Sequence, residues 1–466
     1  MKEKKSVSKN VFMVCLSSIL SIVISLFMGF VLPKQIDVEN YAYYRIYNLY
    51  VAYAGFFHFG LVNGIYLQYG DLDYNQIPKA KFKNYLRFMI ILQFLVVAIL
   101  STILFIFSSY NNKNENIAWL FVFINIPLIN IKWFFSSINQ FTKRFVIDSY
   151  VTIFQNFLNV CMVILITVFE LYTYLSILVF TTFINFICMC IVIYQNKEII
   201  LEHHVNNDRK ELFELIKTGF FLMLSEFVGI IILGIDSIFA DMFFTIREFA
   251  MYSFATTIVS IIFTLITSVS NLVYPYLVRV DSTSYARYYT ILSDILAVIA
   301  MLSLVMFHFA KIIVLYWLPN YEDSIIIAGI LFGTIVFRVL LSLVCGNYFK
   351  VLKMVKDYTI NNIMAILLAF LFNVVALIIF RKLEYIAVAS VLAFIFWYVI
   401  TDFKFIKRLQ IKFLQWIPRY IFILLNLIMF YAFINAGYVY GIIIYVIIVI
   451  ITASICFFME LKRLKH

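Results

Sequence analysis

Residues 79–107 read KAKFKNYLRFMIILQFLVVAILSTILFIF: four basic residues, Lys79, Lys81, Lys83 and Arg87, lead into a stretch over Tyr85–Phe107 that is almost wholly apolar. A helix rises ~1.5 Å per residue and the hydrocarbon layer of a bilayer is ~30 Å thick, so about 20 such residues are enough to cross it. The basic cluster at one end fixes the direction, because Lys and Arg are retained on the cytoplasmic side.

The same unit recurs along the chain. Reading on that length scale predicts about fourteen spans. The first six run roughly over Val11–Leu32, Tyr43–Tyr69, Tyr85–Phe107, Ile117–Ile138, Phe145–Phe169 and Tyr172–Tyr194. Six more cover roughly Phe220–Phe244, Phe249–Leu277, Tyr289–Leu318, Ser324–Phe349, Tyr358–Phe380 and Leu383–Phe405. A last pair lies at roughly Ile417–Ile434 and Tyr438–Met459. Alternate gaps hold about 27 of the 36 basic residues, from Lys2, Lys4, Lys5 and Lys9 at the start, through Arg279 and Arg419, to Lys462, Arg463 and Lys465. The opposite gaps hold roughly six, Lys34, Arg45, Lys113, Arg247, Arg381 and Lys382. The bias never inverts, so both termini are expected in the cytoplasm.

Composition agrees. A hydrophobic fraction of 64% and a mean hydropathy of +0.98 exceed what a water-soluble domain could cover with polar surface. The net charge of +11 is explained by loop anchoring and anionic headgroups, so no nucleic acid is expected as a partner. The first span follows a Lys-rich start but lacks a small-residue cleavage site, and it reads as retained. The cysteines, Cys15, Cys161, Cys188, Cys190, Cys345 and Cys456, all fall in apolar spans and read as buried small hydrophobes rather than a disulfide or zinc framework.

The longest polar connection, Asn196–Lys217, divides the chain. A shift of 208 residues lays Val38-Glu39-Asn40-Tyr41-Ala42-Tyr43-Tyr44 over Ile246-Arg247-Glu248-Phe249-Ala250-Met251-Tyr252. It also lays Asn63 on Asn271, Tyr66 on Tyr274 and Asn139-Gln140-Phe141 on Asn347-Tyr348-Phe349. The expected organisation is a six-helix bundle over 1–196, a cytoplasmic linker over 197–218, a second six-helix bundle over 219–410 and an additional helix pair over 411–466. Six is even, so the two bundles are parallel repeats, an arrangement of transporters with the substrate held at the seam.

Several segments carry a family likeness. They are Leu32-Pro33 with Tyr41-Ala42-Tyr43-Tyr44, His58-Phe59-Gly60-Leu61 with Asn63-Gly64, Gly234-Ile235-Asp236-Ser237, and Glu248-Phe249-Ala250-Met251-Tyr252-Ser253. In these the whole chain resembles the Wzx-type O-antigen and capsular polysaccharide flippases of the MATE-like multidrug/oligosaccharidyl-lipid/polysaccharide exporter superfamily. The resemblance implies an all-α integral membrane fold and no catalysis. It implies passage of an isoprenoid-pyrophosphate-linked oligosaccharide from the cytoplasmic to the outer leaflet of the bacterial inner membrane. Partners would be that glycolipid, membrane lipids, and a polysaccharide polymerase with its chain-length regulator.

An ionised side chain at the bilayer centre costs roughly 2.5–3.5 kcal/mol on insertion scales, so each one inside a span needs a reason. Lys132 and Arg338, on the fourth and tenth spans, are the first candidates to hold a pyrophosphate, Arg by its planar fork and Lys as a point charge. Arg45, Lys311 and His58 are further cavity candidates. Snorkelling and interhelical pairing are the structural alternatives. Glu226 and Asp236 are candidates to carry a coupling proton or sodium, or else are counter-ions to the basic residues. Gly60-x-x-x-Gly64 allows close helix approach, and Pro127 and Pro275 could kink their spans.

Asp71-x-Asp73 is a short match to a metal-binding glycosyltransferase pair, placed in a cytoplasmic loop where such a pair is not expected to act. His203-His204 lacks metal-ligand spacing, and no phosphate-cradling loop or nucleophile turn is present. No metal or cofactor is expected beyond the coupling ion. Two other readings remain: a cation-coupled multidrug exporter of the same fold, which should favour an acidic cavity, and a membrane polysaccharide polymerase or glycosyltransferase, which should carry a large outward loop.

Overall fold

The computed structural model describes residues 20–107, 112–203, 209–267, 277, 280–434 and 438–464. Every regular element among them is helical. The chain divides into two compact units, Met1–Ile231 and Ile232–His466.

Unit 1 contains α1 (Leu20–Gln35), α2 (Val38–Val51), α3 (Leu61–Tyr69), α4 (Lys79–Phe107), α5 (Lys113–Phe141), α6 (Phe145–Val168) and α7 (Tyr174–Gln195). The short α8 (Lys197–Leu201) and the first part of α9 (Arg209–Phe243) complete it. Unit 2 takes the rest of α9, then α10 (Ile246–Thr267), α11 (Tyr285–Trp317), α12 (Ser324–Val351) and α13 (Val355–Ile379). It ends with α14 (Leu383–Arg408), α15 (Phe413–Phe433) and α16 (Tyr438–Leu464).

Ten helices among the described residues are long and apolar enough to span a membrane, or eleven if the two segments of α9, bent by 42°, count as one. Length and composition alone do not confirm the sequence count of about fourteen. The first and last expected spans are represented by shorter apolar helices, Leu20–Gln35 and Gly441–Ile455. The expected second span, Tyr43–Tyr69, is interrupted. A 3₁₀ turn over Ala54–His58 leads into Phe59 (φ 51) and Gly60 (φ 85), both left-handed, before α3 begins.

Close approach gives the physical reason for the break. A Cβ on Gly60 would lie 2.3 Å from Phe220 N, and one on Gly64 would lie 2.0 Å from Leu215 O. From the opposite side, a Cβ on Gly219 would lie 2.0 Å from Gly60 O. Three glycines thus let α3 and α9 touch backbone to backbone, the packing expected of Gly60-x-x-x-Gly64. His58 supports the turn, its Nδ1 accepting the Gly60 N–H at 3.0 Å.

Large apolar side chains such as Phe94, Phe105, Tyr316 and Ile378 are exposed, as lipid-facing positions require, since hydrocarbon rewards neither polar side chains nor open backbone. Burial is uneven along the helices. In α12, 83% of the apolar window is buried, against 11% in α4, so α12 is an interior element of its unit and α4 a peripheral one. Cys188 and Cys345 are buried as expected, whereas Cys190 is exposed. Cys15 lies outside the described residues, as do Asn271, Tyr274, Pro275, Arg279 and His204. Helix α5 runs through Pro127 as one element.

The described part of the linker packs within unit 1. Glu211, in the first turn of α9, takes hydrogen bonds from Tyr69 Oη (2.6 Å), Lys81 Nζ (2.7 Å) and Gln68 Nε2 (3.0 Å). Glu198 of α8 pairs with Lys79, and that hydrogen bond and charge hold its carboxyl below the usual carboxylate range. A depressed pKa contributes only above the unfolded value, near ~4.3, and the contribution is lost as pH falls through the folded one. An exposed pair of this kind contributes little to global stability. Amide exchange over Lys197–Leu201 is accordingly expected to accelerate below about pH 4 with the unfolding midpoint unmoved. Unchanged local protection would show that the pair does not hold α8.

Local geometry recurs at shifted positions in the helix starts. Asp37 caps α2 by accepting the Asn40 N–H (2.7 Å), and at the 208-shifted positions Glu248 accepts the Thr245 N–H (2.9 Å) where α10 begins. The shift then slips to 210. The turn after α5, with Lys143 at φ 61 and Arg144 N–H bonded to Asn139 O, recurs after α12 with Lys353 at φ 54 and Met354 N–H bonded to Phe349 O. A π-helical segment, Leu340–Cys345, lies in α12 ahead of that turn, where wider winding accommodates extra residues. Asn139 therefore does not match Asn347. It bonds across to Asp148 (3.1 Å) and Asn196 (3.3 Å), while Asn347 bonds back to Leu343 O. Measured from the two turns, Arg338 lies one helical turn earlier than Lys132 and the two are not equivalent.

Candidate functional site

Helical spacing gathers polar groups inside unit 1. Tyr44, Tyr47, Asn48 and Val51 share one face of α2, Gln155 and Asn159 one face of α6, and Thr181 and Asn185 one face of α7. Together with Lys132 and Trp133 of α5 and Ser25 of α1 they line a cavity of about 380 Å³. The side chains are ordered by a chain of hydrogen bonds. Lys132 Nζ donates to Gln155 Oε1 (2.7 Å), Gln155 Nε2 to Asn185 Oδ1 (3.2 Å), Asn185 Nδ2 to Asn125 Oδ1 (2.8 Å) and Asn125 Nδ2 to Thr182 Oγ1 (2.8 Å). Asn156 is held separately, donating to Ser21 Oγ at 2.7 Å. Among the described residues, Lys132 is the one cation in this lining, and no carboxylate belongs to it.

Unit 2 holds the acidic candidate. Asp236 of α9 is buried, with Oδ2 accepting from Tyr252 Oη and Ser390 Oγ, both at 2.8 Å, and Oδ1 accepting the Ser237 N–H at 2.7 Å. Helices α10 and α14 supply the two hydroxyls. Arg338 of α12 is buried, and among the described residues it forms no ion pair. Its guanidinium carbon lies 4.7 Å from the centre of the Phe394 ring, its Nε has no hydrogen-bond partner among the described residues, and Asp236 is near enough to act on it electrostatically. Asn373 of α13 has a buried Oδ1 without a donor among the described residues. Phe370, one turn before it, packs its ring against Phe239, one turn after Asp236.

The other candidates are dispersed. Glu226 is exposed and takes a hydrogen bond from Asn63 Nδ2 (2.9 Å) beside the glycine contact. Arg45 is half-buried, with its Nε unbonded among the described residues. Lys311 donates to Ile434 O (3.3 Å), and His58 supports the break before α3. Asp73, of the Asp71-x-Asp73 pair, makes a capping box with Gln76 at a 3₁₀ turn. His203 is exposed.

One charged cluster was not anticipated. Arg419 was assigned to a cytoplasmic loop, yet it sits inside α15 with 1% of its side chain exposed. Its Nη2 contacts both carboxylate oxygens of Asp402 on α14 (2.9 and 3.1 Å), and its Nη1 reaches Asp294 of α11 at 3.5 Å. Tyr289 and Tyr420 each donate to Asp402, at 2.6 and 2.8 Å. The signal available was Asp402 itself, a carboxylate inside an apolar run.

A family model described as "Polysaccharide biosynthesis protein" matches residues 6–281. No curated protein matches the chain. Among solved structures, the chain is similar to the lipid II flippase MurJ in an inward closed conformation (TM-score 0.68, 12% identity, 98% of this chain and 99% of that one). It is also similar to a multidrug resistance MATE family transporter of the MOP superfamily. The inward-facing form gives a TM-score of 0.55 at 14% identity, over 84% of this chain and 95% of that one. The outward-facing form gives 0.50 at 11% identity, over 85% and 95%. At these identities the likeness is one of fold.

Proposed function

The chain belongs to the polysaccharide biosynthesis protein family, and from that membership we propose that it flips a lipid-linked oligosaccharide, an O-antigen or capsular repeat unit, from the cytoplasmic to the outer leaflet of the bacterial inner membrane. The observation that carries this reading is a fold shared over 98% of the chain with a protein that flips another lipid-linked sugar, lipid II. The polar residues support it. Among the described residues the unit 1 cavity is lined by carboxamides and a single cation, suited to hydroxyls and negative charge rather than to the cationic drugs of a multidrug exporter. Lys132 is the residue of this reading that contacts substrate. Arg338, held over an aromatic ring, is its second cation.

Asp236 is the proposed coupling site, where sodium or a proton exchanges on the carboxylate. Four neutral donors hold its geometry, and the Asn373 oxygen, without a donor among the described residues, lies on the helix packed beside it. Asp236→Asn keeps the shape and removes the exchangeable charge. The test is transfer of a fluorescent isoprenoid-pyrophosphate oligosaccharide across proteoliposomes under an imposed sodium or proton gradient. The native chain is expected to accelerate transfer, and D236N to lose its gradient dependence. Transfer no faster than in protein-free vesicles overturns the flippase reading. Gradient dependence retained in D236N overturns only the coupling assignment.

A further inference from the structure

The cavity in unit 1 holds more hydrogen-bonding capacity than its own packing consumes. Asn159 makes no side-chain hydrogen bond among the described residues, and the chain that begins at Asn125 ends on Lys132, an ammonium with three donors that spends one on Gln155. A carboxamide offers a donor and an acceptor side by side, and several of them suit the adjacent hydroxyls of a sugar ring. Trp133 and Tyr44 add aromatic surface for the ring's C–H face. The volume, about 380 Å³, falls at the small end of the roughly 300–1,000 Å³ range of ligand sites. That is room for one ring rather than a chain. A diphosphate would call for several cations or an Arg fork. Among the described lining residues the one charge is the Lys132 ammonium, with Asp148 outside the lining but near enough to act on it electrostatically, and a single negative charge matches it.

We propose that this cavity is a sugar subsite that takes one pyranose bearing a carboxylate, a hexuronic acid unit. Its hydroxyls bond to Asn159, Asn185 and Gln155, and its carboxylate meets Lys132. The proposal rests on the reading of the chain as a glycolipid exporter and refines its substrate class.

The test uses the purified full chain in detergent, titrated with sodium glucuronate and with glucose. Calorimetry and the emission of Trp133, assigned with Trp133→Phe, report binding. Glucuronate is expected to bind about tenfold more tightly than glucose. Lys132→Gln should erase that preference, and Lys132→Arg should keep it. Asn159→Leu combined with Asn185→Leu should weaken both sugars at least about tenfold. The subsite is overturned if neither sugar binds, if Lys132→Gln leaves the preference intact, or if inorganic phosphate displaces glucuronate while glucose shows no affinity. A chain that flips glycolipid in vesicles but binds neither sugar keeps the exporter reading and loses the subsite. One that binds glucuronate but moves no glycolipid does the reverse.

Discussion

Arg419→Met, made alone, is expected to destabilise the folded protein by about 3–5 kcal/mol. The cause is the partner left behind rather than the guanidinium removed. Asp402 is fully buried on α14, and Arg419 supplies the cation that meets both of its oxygens. Without that cation the Tyr289 and Tyr420 hydroxyls stabilise the carboxylate only as neutral donors, far short of what a charge out of water requires. Replacing both members, Asp402→Leu with Arg419→Met, is expected to recover most of the loss, since apolar pairs of similar volume often match a buried ion pair. The full cycle of four proteins, unfolded thermally in detergent, isolates the coupling. A single mutant that costs under about 1 kcal/mol, the value of an exposed pair, would mean that water reaches Asp402 and that the three helices are not locked there.

The ion pair also marks where the sequence was legible and where it was not. Apolar length found the helices because hydrocarbon thickness is a hard constraint on each span by itself. Loop charge misplaced Arg419 because it follows Lys407, Arg408 and Lys412, and a count of basic residues does not tell a loop from the first turns of a helix. The break at Phe59–Gly60 escaped the same test. The residues around it are apolar, and the reason for the interruption lies more than a hundred residues away in Leu215 and Phe220. The carboxamide cavity was invisible for a related reason. Asn is frequent in this chain, and only the folded bundle brings the carboxamides of α2, α6 and α7 around Lys132. The 208-residue shift pairs positions of similar cap geometry at Asp37 and Thr245. It lost register where a π segment absorbed extra residues, so Lys132 and Arg338 looked more alike than their surroundings make them.

The backbone contact between α3 and α9 leads to the second large effect. Gly219→Ala is expected to cost about 3 kcal/mol or more. Its methyl group would stand 2.0 Å from Gly60 O and 2.3 Å from Gly64 N. Neither atom belongs to a side chain that could rotate away, so the two helices must separate. Separation would also pull Asn63 from Glu226 and strain the left-handed turn at Phe59 and Gly60. Gly229 lies on the same helix and supplies the control, because a Cβ there meets nothing within 4 Å. Gly229→Ala is expected to be neutral or to stabilise by up to about 1 kcal/mol through helix propensity alone. Both substitutions add one methyl group to α9, so their difference reports the contact and not the chemistry of the change. Yield of monodisperse protein and the thermal midpoint of each variant supply the measurement. If the two alanines behave alike, α3 does not touch α9 through its backbone. The interruption of the second span would then need another cause.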